Sequence, residues 1–265
     1  MAINELGNYL RARRQAVSPT DVGLASESGR RVVGLRREEV ADLAGISSDY
    51  YLRLEQGRDT NPSNQVLKAL AKALLLDEEA SSHLQRIADP QPHRSFAPLP
   101  GDLDDSVFDF LAGFEHMAAY VINGCQDVLA CNDRANRLLP YGFYVGANLF
   151  DALFHDITKE VLPNWDHHVL IGISSLRARA DPDDPRLHEL VGRLLVTQPE
   201  FAELWGRHDV GLPPNGVGTA HVEGFGLVEM QWQNLAVPAD PRLLLVAHFA
   251  EPGTVAAYAL ASLGD

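Results

Sequence analysis

The stretch Leu35–Arg58, LRREEVADLAGISSDYYLRLEQGR, constrains this chain more than any other. Apolar residues recur at Leu35, Val40, Leu43 and Ala44, then at Ile46, Tyr50, Tyr51 and Leu54, the spacing of two short helices. Gly45 is suited to end the first, Ile46 to fill the corner, and Ser47 to accept from the orphan backbone N–H groups that open the second. The pattern predicts a helix-turn-helix whose second helix runs from Ser48 to about Gln56 and stops at Gly57. Tyr50, Tyr51 and Leu54 would anchor that helix. Ser47, Ser48, Asp49 and Arg53 would face outward as readers of base edges, beside Leu52. Spacing alone also fits an ordinary helical hairpin.

The full string is more specific than its spacing. It resembles the Cro/repressor-like (XRE-type) DNA-binding domain, whose signature ends in a Glu-x-Gly such as Glu55–Gly57. The longer run YYLRLEQGRDTNPSNQVLKALAKALLLDEEASSHL resembles one branch, the MmyB-like bacterial transcription regulators.

A net charge of −14 over 265 residues sits poorly with DNA binding, since phosphate neutralisation supplies much of the affinity. The charge is unevenly spread. Residues 1–88 hold 12 Lys+Arg against 12 Asp+Glu, and 89–265 hold 10 against 24, so the acid lies outside the expected DNA reader. Two cysteines, Cys125 and Cys131, make neither a metal set nor a disulfide framework. With no leader and no long apolar run, the expected compartment is the cytoplasm, without membrane attachment.

Taken in order, residues 3–15 form a first helix with Ile3, Leu6 and Leu10 on one face and Arg11, Arg13 and Arg14 near its end. Residues 18–34 break that periodicity and bring Arg30 and Arg31 towards Arg36 and Arg37, a cluster that fits either phosphate contact or a solvated loop. Arg36, Arg37 and Arg58 are the expected phosphate contacts. Helices at Asn64–Leu75 and Asp77–Ala88 complete an all-α module over 1–88. The segment 89–101, DPQPHRSFAPLPG, has four of the chain's 16 prolines and reads as a linker.

The remainder, 102–265, changes character. Ala118–Asn123 and Asp127–Asn132 are strand-like, Asp133 to Gly206 is mainly helical, and Gly218–Glu223, Leu227–Leu235 and Arg242–Phe249 alternate like strands. This order predicts a PAS-like α+β domain, a five-stranded antiparallel sheet with helices on one face, making the whole chain α+β. YVINGCQDVLACNDRANRLL, the run from Leu162 to Val210 and LLLVAHFAEPGT resemble the MmyB-like ligand-binding domain. That resemblance implies a regulator sensing an apolar, fatty-acid-like ligand. Two departures stand out: 210–221 has no Lys or Arg, and Cys131 stands where an aromatic residue is expected.

No catalytic or metal constellation emerges. His167 and His168 are adjacent and diverge on a helix, and no HExxH, GxSxG, Walker or GxGxxG motif is present, so the ten histidines read as structural or surface residues and neither catalysis nor a cofactor is expected. The aromatic surplus of the second half fits either a filled core or a ligand cavity. Candidate ligand contacts are Tyr120, Phe150, Phe154, Trp165 and Trp232, together with Trp205 and the polar Arg177, Arg207 and His208. The leading expectation is a homodimer that binds double-stranded DNA and senses a small apolar molecule. A constitutive DNA-binding protein whose second half only dimerises, and an enzyme localised by its first half, remain the alternatives.

Overall fold

The computed structural model describes residues 4–25, 32–88, 103, 105–139, 141–212, 215–237, 240 and 242–264. Arg30, Arg31 and the expected linker 89–101 lie outside the described residues. The chain divides into two compact units, the first holding the N-terminal helices with Ala202–Gly211 and the second holding the rest.

In the first unit, α1 (Glu5–Ala16) is opened by Asn4, whose side chain accepts from Gly7 N–H. A 3-10 turn follows at Pro19–Val22. The helix-turn-helix is α2 (Arg37–Ala44), left-handed Gly45 at φ +66°, and α3 (Ser48–Glu55). Ser47 opens α3 by accepting from Tyr50 N–H at 3.2 Å. Then come α4 (Asn64–Ala73) and α5 (Glu78–Ala88). Tyr51, Leu54, Leu10, Leu35, Val40 and Leu70 are fully buried in one core, and Tyr50 packs at its edge. At about 1.5–3 kcal/mol for each large apolar side chain, this burial is what holds such short helices together.

The second unit begins with α6 (Asp105–Ala112), β1 (Ala118–Ile122) and β2 (Val128–Cys131). Six helices follow: α7 (Asp133–Leu138), α8 (Leu149–Leu153), α9 (Asp156–Val161), α10 (Trp165–Arg179), α11 (Pro185–Thr197) and α12 (Pro199–Trp205), whose last residues count with the first unit. β3 (Gly216–Val222), β4 (Gly226–Ala236), β5 (Leu244–Phe249) and α13 (Val255–Ser262) complete it. The sheet is antiparallel with strand order β2-β1-β5-β4-β3, so the two ends of the sequence meet as β1 pairs with β5.

Sequence reading expected helices on one face. The structure has them on both. Tyr120, Ile122, Leu244 and Val246 share a core with α7 and α13, whereas Ala119, Val121, Leu245 and Ala247 pack with Leu111 of α6. All five residues of β1 are buried, so each face of this central strand needs a cover. Asp127, after the β1–β2 turn, ties α11 to the sheet: Arg186 donates to its two oxygens at 2.7 and 3.1 Å, and Asn148 donates at 2.8 Å. Burial alone would raise the Asp127 pKa, but these hydrogen bonds outweigh it and hold the carboxyl below its ordinary value.

Candidate DNA-binding face and ligand cavity

The turn between α2 and α3 leaves one side of α3 in solvent. Ser47, Ser48 and Asp49 are exposed and Arg53 is partly so, making a short polar ridge along the start of the helix. Arg53 is ion-paired to Asp49 one turn earlier and lies 5.4 Å from the centre of the Tyr50 ring. Arg36, Arg37 and Arg58 are exposed. The candidate base readers and candidate phosphate contacts thus all belong to the first unit; the serines and arginines carry donors in solvent, as attachment to a duplex requires, and Asp49 carries an acceptor.

Arg37 has a second engagement that spacing did not suggest. Its Nε donates to Glu55 at 2.7 Å, and Arg14 Nε donates to the other oxygen of the same carboxylate at 2.6 Å. Glu55 is completely buried, and Arg14 also donates to Leu35 O at 2.8 Å. Burial pushes the Glu55 pKa up, but the Arg14 and Arg37 hydrogen bonds prevail and hold it below its ordinary value. The Glu-x-Gly pair therefore has a physical basis here: Glu55 is the hub that joins α1, α2 and α3. Gly57, at φ +66°, lets the chain turn back where a Cβ would sit 2.6 Å from Asn4 Cγ.

In the second unit a cavity of about 260 Å³ lies between the sheet and the helices. Tyr120, Val246, His248, Met230 and Trp232 line it from the strands. Leu153, Thr158, Ile171, Gly172 and Ser175 line it from the helices. Strand alternation is the cause, since Leu244, Val246 and His248 project to one side, and register places Trp232 opposite His248. Trp232 can lie across the edge strand because Gly216 and Gly218 face it; a Cβ on either would come within 2.9 Å of the ring. Tyr120 stacks on Phe143 at 4.2 Å, and both rings approach His248 within 6 Å.

Of the expected ligand contacts, Tyr120 and Trp232 line this cavity. Phe150 and Phe154 pack edge-on against Phe201 at 5.6 and 6.4 Å, and Trp165 donates its indole N–H to Leu153 O. Arg177 is buried outside the lining. Trp205, Arg207 and His208 count with the first unit, where Arg207 pairs with Asp209 at 3.1 Å. The polar residues that do line the cavity, among them Gln126, Thr158, His168, Ser175 and His248, were not named as ligand contacts from sequence. For His248 a signal existed in the alternation of β5. Gln126 lies between β1 and β2 without such a signal, and for the others the helical pattern gave none.

No helix among the described residues is long and apolar enough to cross a membrane, and no cluster of three metal-ligating side chains occurs among them. Comparison with curated proteins finds no match. A helix-turn-helix domain family model matches residues 5–84, over the bundle that carries the exposed face of α3. The model of the MmyB-like transcription regulator ligand binding domain matches residues 103–263, more than half of the chain and the whole of the cavity-bearing sheet. With a DNA-binding helix-turn-helix joined to that ligand-binding domain, the chain belongs to the MmyB-like transcription regulators.

Proposed function

We propose that this protein is a cytoplasmic, homodimeric XRE-type regulator whose affinity for DNA is set by a small, predominantly apolar molecule of the fatty-acyl kind. Ser47, Ser48, Asp49 and Arg53 read base edges; Arg36, Arg37 and Arg58 hold phosphate. The observation that carries the sensor reading is the cavity between sheet and helices, walled mainly by aliphatic and aromatic side chains. Burial of each ligand CH₂ contributes about 0.8 kcal/mol, so a medium-length chain suffices for micromolar binding after association costs. Catalysis is no part of this reading.

The dimer follows from reach. A recognition helix of eight residues covers only a few base pairs, and residues 1–88 are net neutral, so one copy lacks both selectivity and electrostatic grip. The test has two arms. Selection of bound duplexes from a random pool should return a two-fold symmetric site, and organic extraction of the purified protein should return an apolar small molecule that changes affinity for that site. A selected site with no symmetry, or an extracted molecule without effect on DNA binding, overturns the corresponding part.

A further inference from the structure

The ligand-binding domain is continuous in sequence but interrupted in packing. Its family model runs over 103–263, yet Ala202–Gly211 within that range count with the helical first unit. The chain leaves the second unit after Phe201, in the first turn of α12, and re-enters it at Leu212. At the start of this excursion Phe201 is completely buried, and its ring meets Phe150 at 5.6 Å and Phe154 at 6.4 Å. Phe150 belongs to α8, whose Ala152 and Leu153 line the cavity. Within the first unit, Asp209 accepts from Arg13 Nη1 of α1 at 3.2 Å, the His208 ring stands edge-on to Tyr9 at 6.3 Å, and Val210 packs against the bundle core. Tyr9 is completely buried and donates to Ala80 O, and Arg14, next to Arg13, holds Glu55 at the end of α3. His208 reaches Tyr9 from a left-handed backbone at φ +55°, a conformation that a residue other than glycine keeps only where its surroundings hold it.

Resting on the ligand-sensor reading above, we infer that α12 and the tail Gly206–Val210 form a strap that carries the state of the cavity to the recognition helix, by seating on α1 or releasing it. The links are contiguous: α8 at the cavity wall, Phe201, α12 and its tail, then Arg13 of α1, Arg14, and Glu55 of α3. The seat has the strength of a switch rather than of a core. Arg13 and Asp209 keep 21% and 29% of their side chains in solvent, and ion pairs with that access to water contribute little. Val210 is only partly buried, and the fully buried core of the bundle is built without it. The tail can therefore leave α1 while the bundle stays folded. A ligand that prefers one placement of α8 then shifts the strap between seated and released by its difference in affinity for the two.

The experiment measures the affinity of the full-length protein for its selected duplex with and without decanoate, while thermal unfolding reports decanoate binding. For wild type the two affinities are expected to differ by about 5–150-fold, the usual range of such coupling. The double variant Asp209→Ala, Val210→Ser, which removes both the ion pair and the apolar anchor of the tail, should still bind decanoate and the duplex, but the ratio of its two affinities should fall to about one. Asp209→Glu, which keeps a carboxylate opposite Arg13, should retain a larger ratio than Asp209→Ala; this pair carries the comparison if the double variant is too unstable to read. Variants that bind decanoate and keep the wild-type ratio overturn the strap and assign the signal to another route, such as 89–101, while ligand-controlled DNA binding stands. A double variant that folds but no longer binds decanoate makes the segment part of the ligand site and overturns the strap equally. If decanoate leaves wild-type unfolding unchanged, or binds without altering affinity for the duplex, the fatty-acyl sensor reading itself fails, and this inference with it.

Discussion

Arg14 and Glu55 meet at 2.6 Å, each with less than a tenth of its side chain in solvent, and so join the last turn of α1 to the last residue of α3. Because Arg37 holds the second carboxylate oxygen, the helix that would enter DNA is fixed to both of its neighbours by one buried anion. Removing one partner of a buried pair typically costs about 3–5 kcal/mol, since the survivor is left charged and unpaired. Glu55→Ala is therefore expected to lower the unfolding free energy of the first unit by about that amount. Arg37→Ala, at a half-exposed guanidinium, should cost far less. Denaturant unfolding of the two variants checks the order, and equal losses would contradict it.

Acid should undo the same hub. The Glu55 pKa is lowered in the folded protein, so the folded state binds fewer protons than the unfolded one around the ordinary carboxylate value. Its stabilisation is present above that value and is lost as pH falls through the lowered one. His248 behaves similarly in a higher window. Its pKa is about 4 when folded against 6.5 ordinarily, so the second unit is expected to lose stability as pH falls from about 6.5 towards 4, by up to about 3 kcal/mol. Melting curves across this range, compared with those of His248→Phe, check the sign: the variant should be flatter between pH 4 and 6.5.

On DNA, Arg53→Ala should lose about 1–3 kcal/mol of discrimination if the side chain leaves Asp49 for a base edge. Arg58→Ala should weaken specific and random duplexes alike and reduce the salt slope by about one. Competition assays at two salt concentrations separate these effects. An equal loss on specific and random DNA for Arg53→Ala would assign that residue to the backbone instead.

What sequence could and could not reveal follows from the range of the interactions. The helix-turn-helix was legible because its determinants are local: Gly45 adopts the left-handed turn, and Ser47 caps the residue three positions on. The five strands of the second unit were legible from alternation in the same way, but the order β2-β1-β5-β4-β3, which pairs runs far apart in sequence, was not. Glu55 was legible only as part of a signature, since a glutamate in an exposed-looking helix defaults to solvent and its partners lie 41 and 18 residues away. Which of the aromatic candidates line the cavity was hidden for a related reason. Phe150 and Phe154 found Phe201, and edge-on packing between rings is as good a use of an aromatic as a ligand contact. Thr158 and His248 line the cavity through the packing of elements distant in sequence, which no local pattern in the chain can record.

A two-fold dimer should place its recognition helices about 34–36 Å apart, or a multiple of it, and so protect two half-sites on one face of the duplex. Sedimentation in the presence and absence of the selected DNA tests it. A monomer at micromolar concentration in both states would remove the dimer, and with it the expected symmetry of the site.

The last expectation joins the two activities. A ligand changes DNA affinity only by the difference in its affinity for the DNA-competent and DNA-incompetent states, so occupancy of the cavity is not by itself regulation. Coupling free energies of about 1–3 kcal/mol are usual and correspond to changes in affinity of about 5–150-fold. Reciprocity supplies the sharper check, since operator DNA must then change the affinity of the cavity for its ligand by the same factor. Titrating ligand into the free protein and into the DNA complex, then DNA into both forms, should give two equal ratios. A filling substitution such as Gly172→Leu, at a helix position where a new Cβ meets Phe150 and Leu153 at 3.4 Å and the cavity lies beside it, should abolish the ligand's effect while the protein still binds the operator. A ligand effect that survives Gly172→Leu would mean that the ligand acts at another site; ratios of one would leave the second unit a ligand-binding domain without control over DNA.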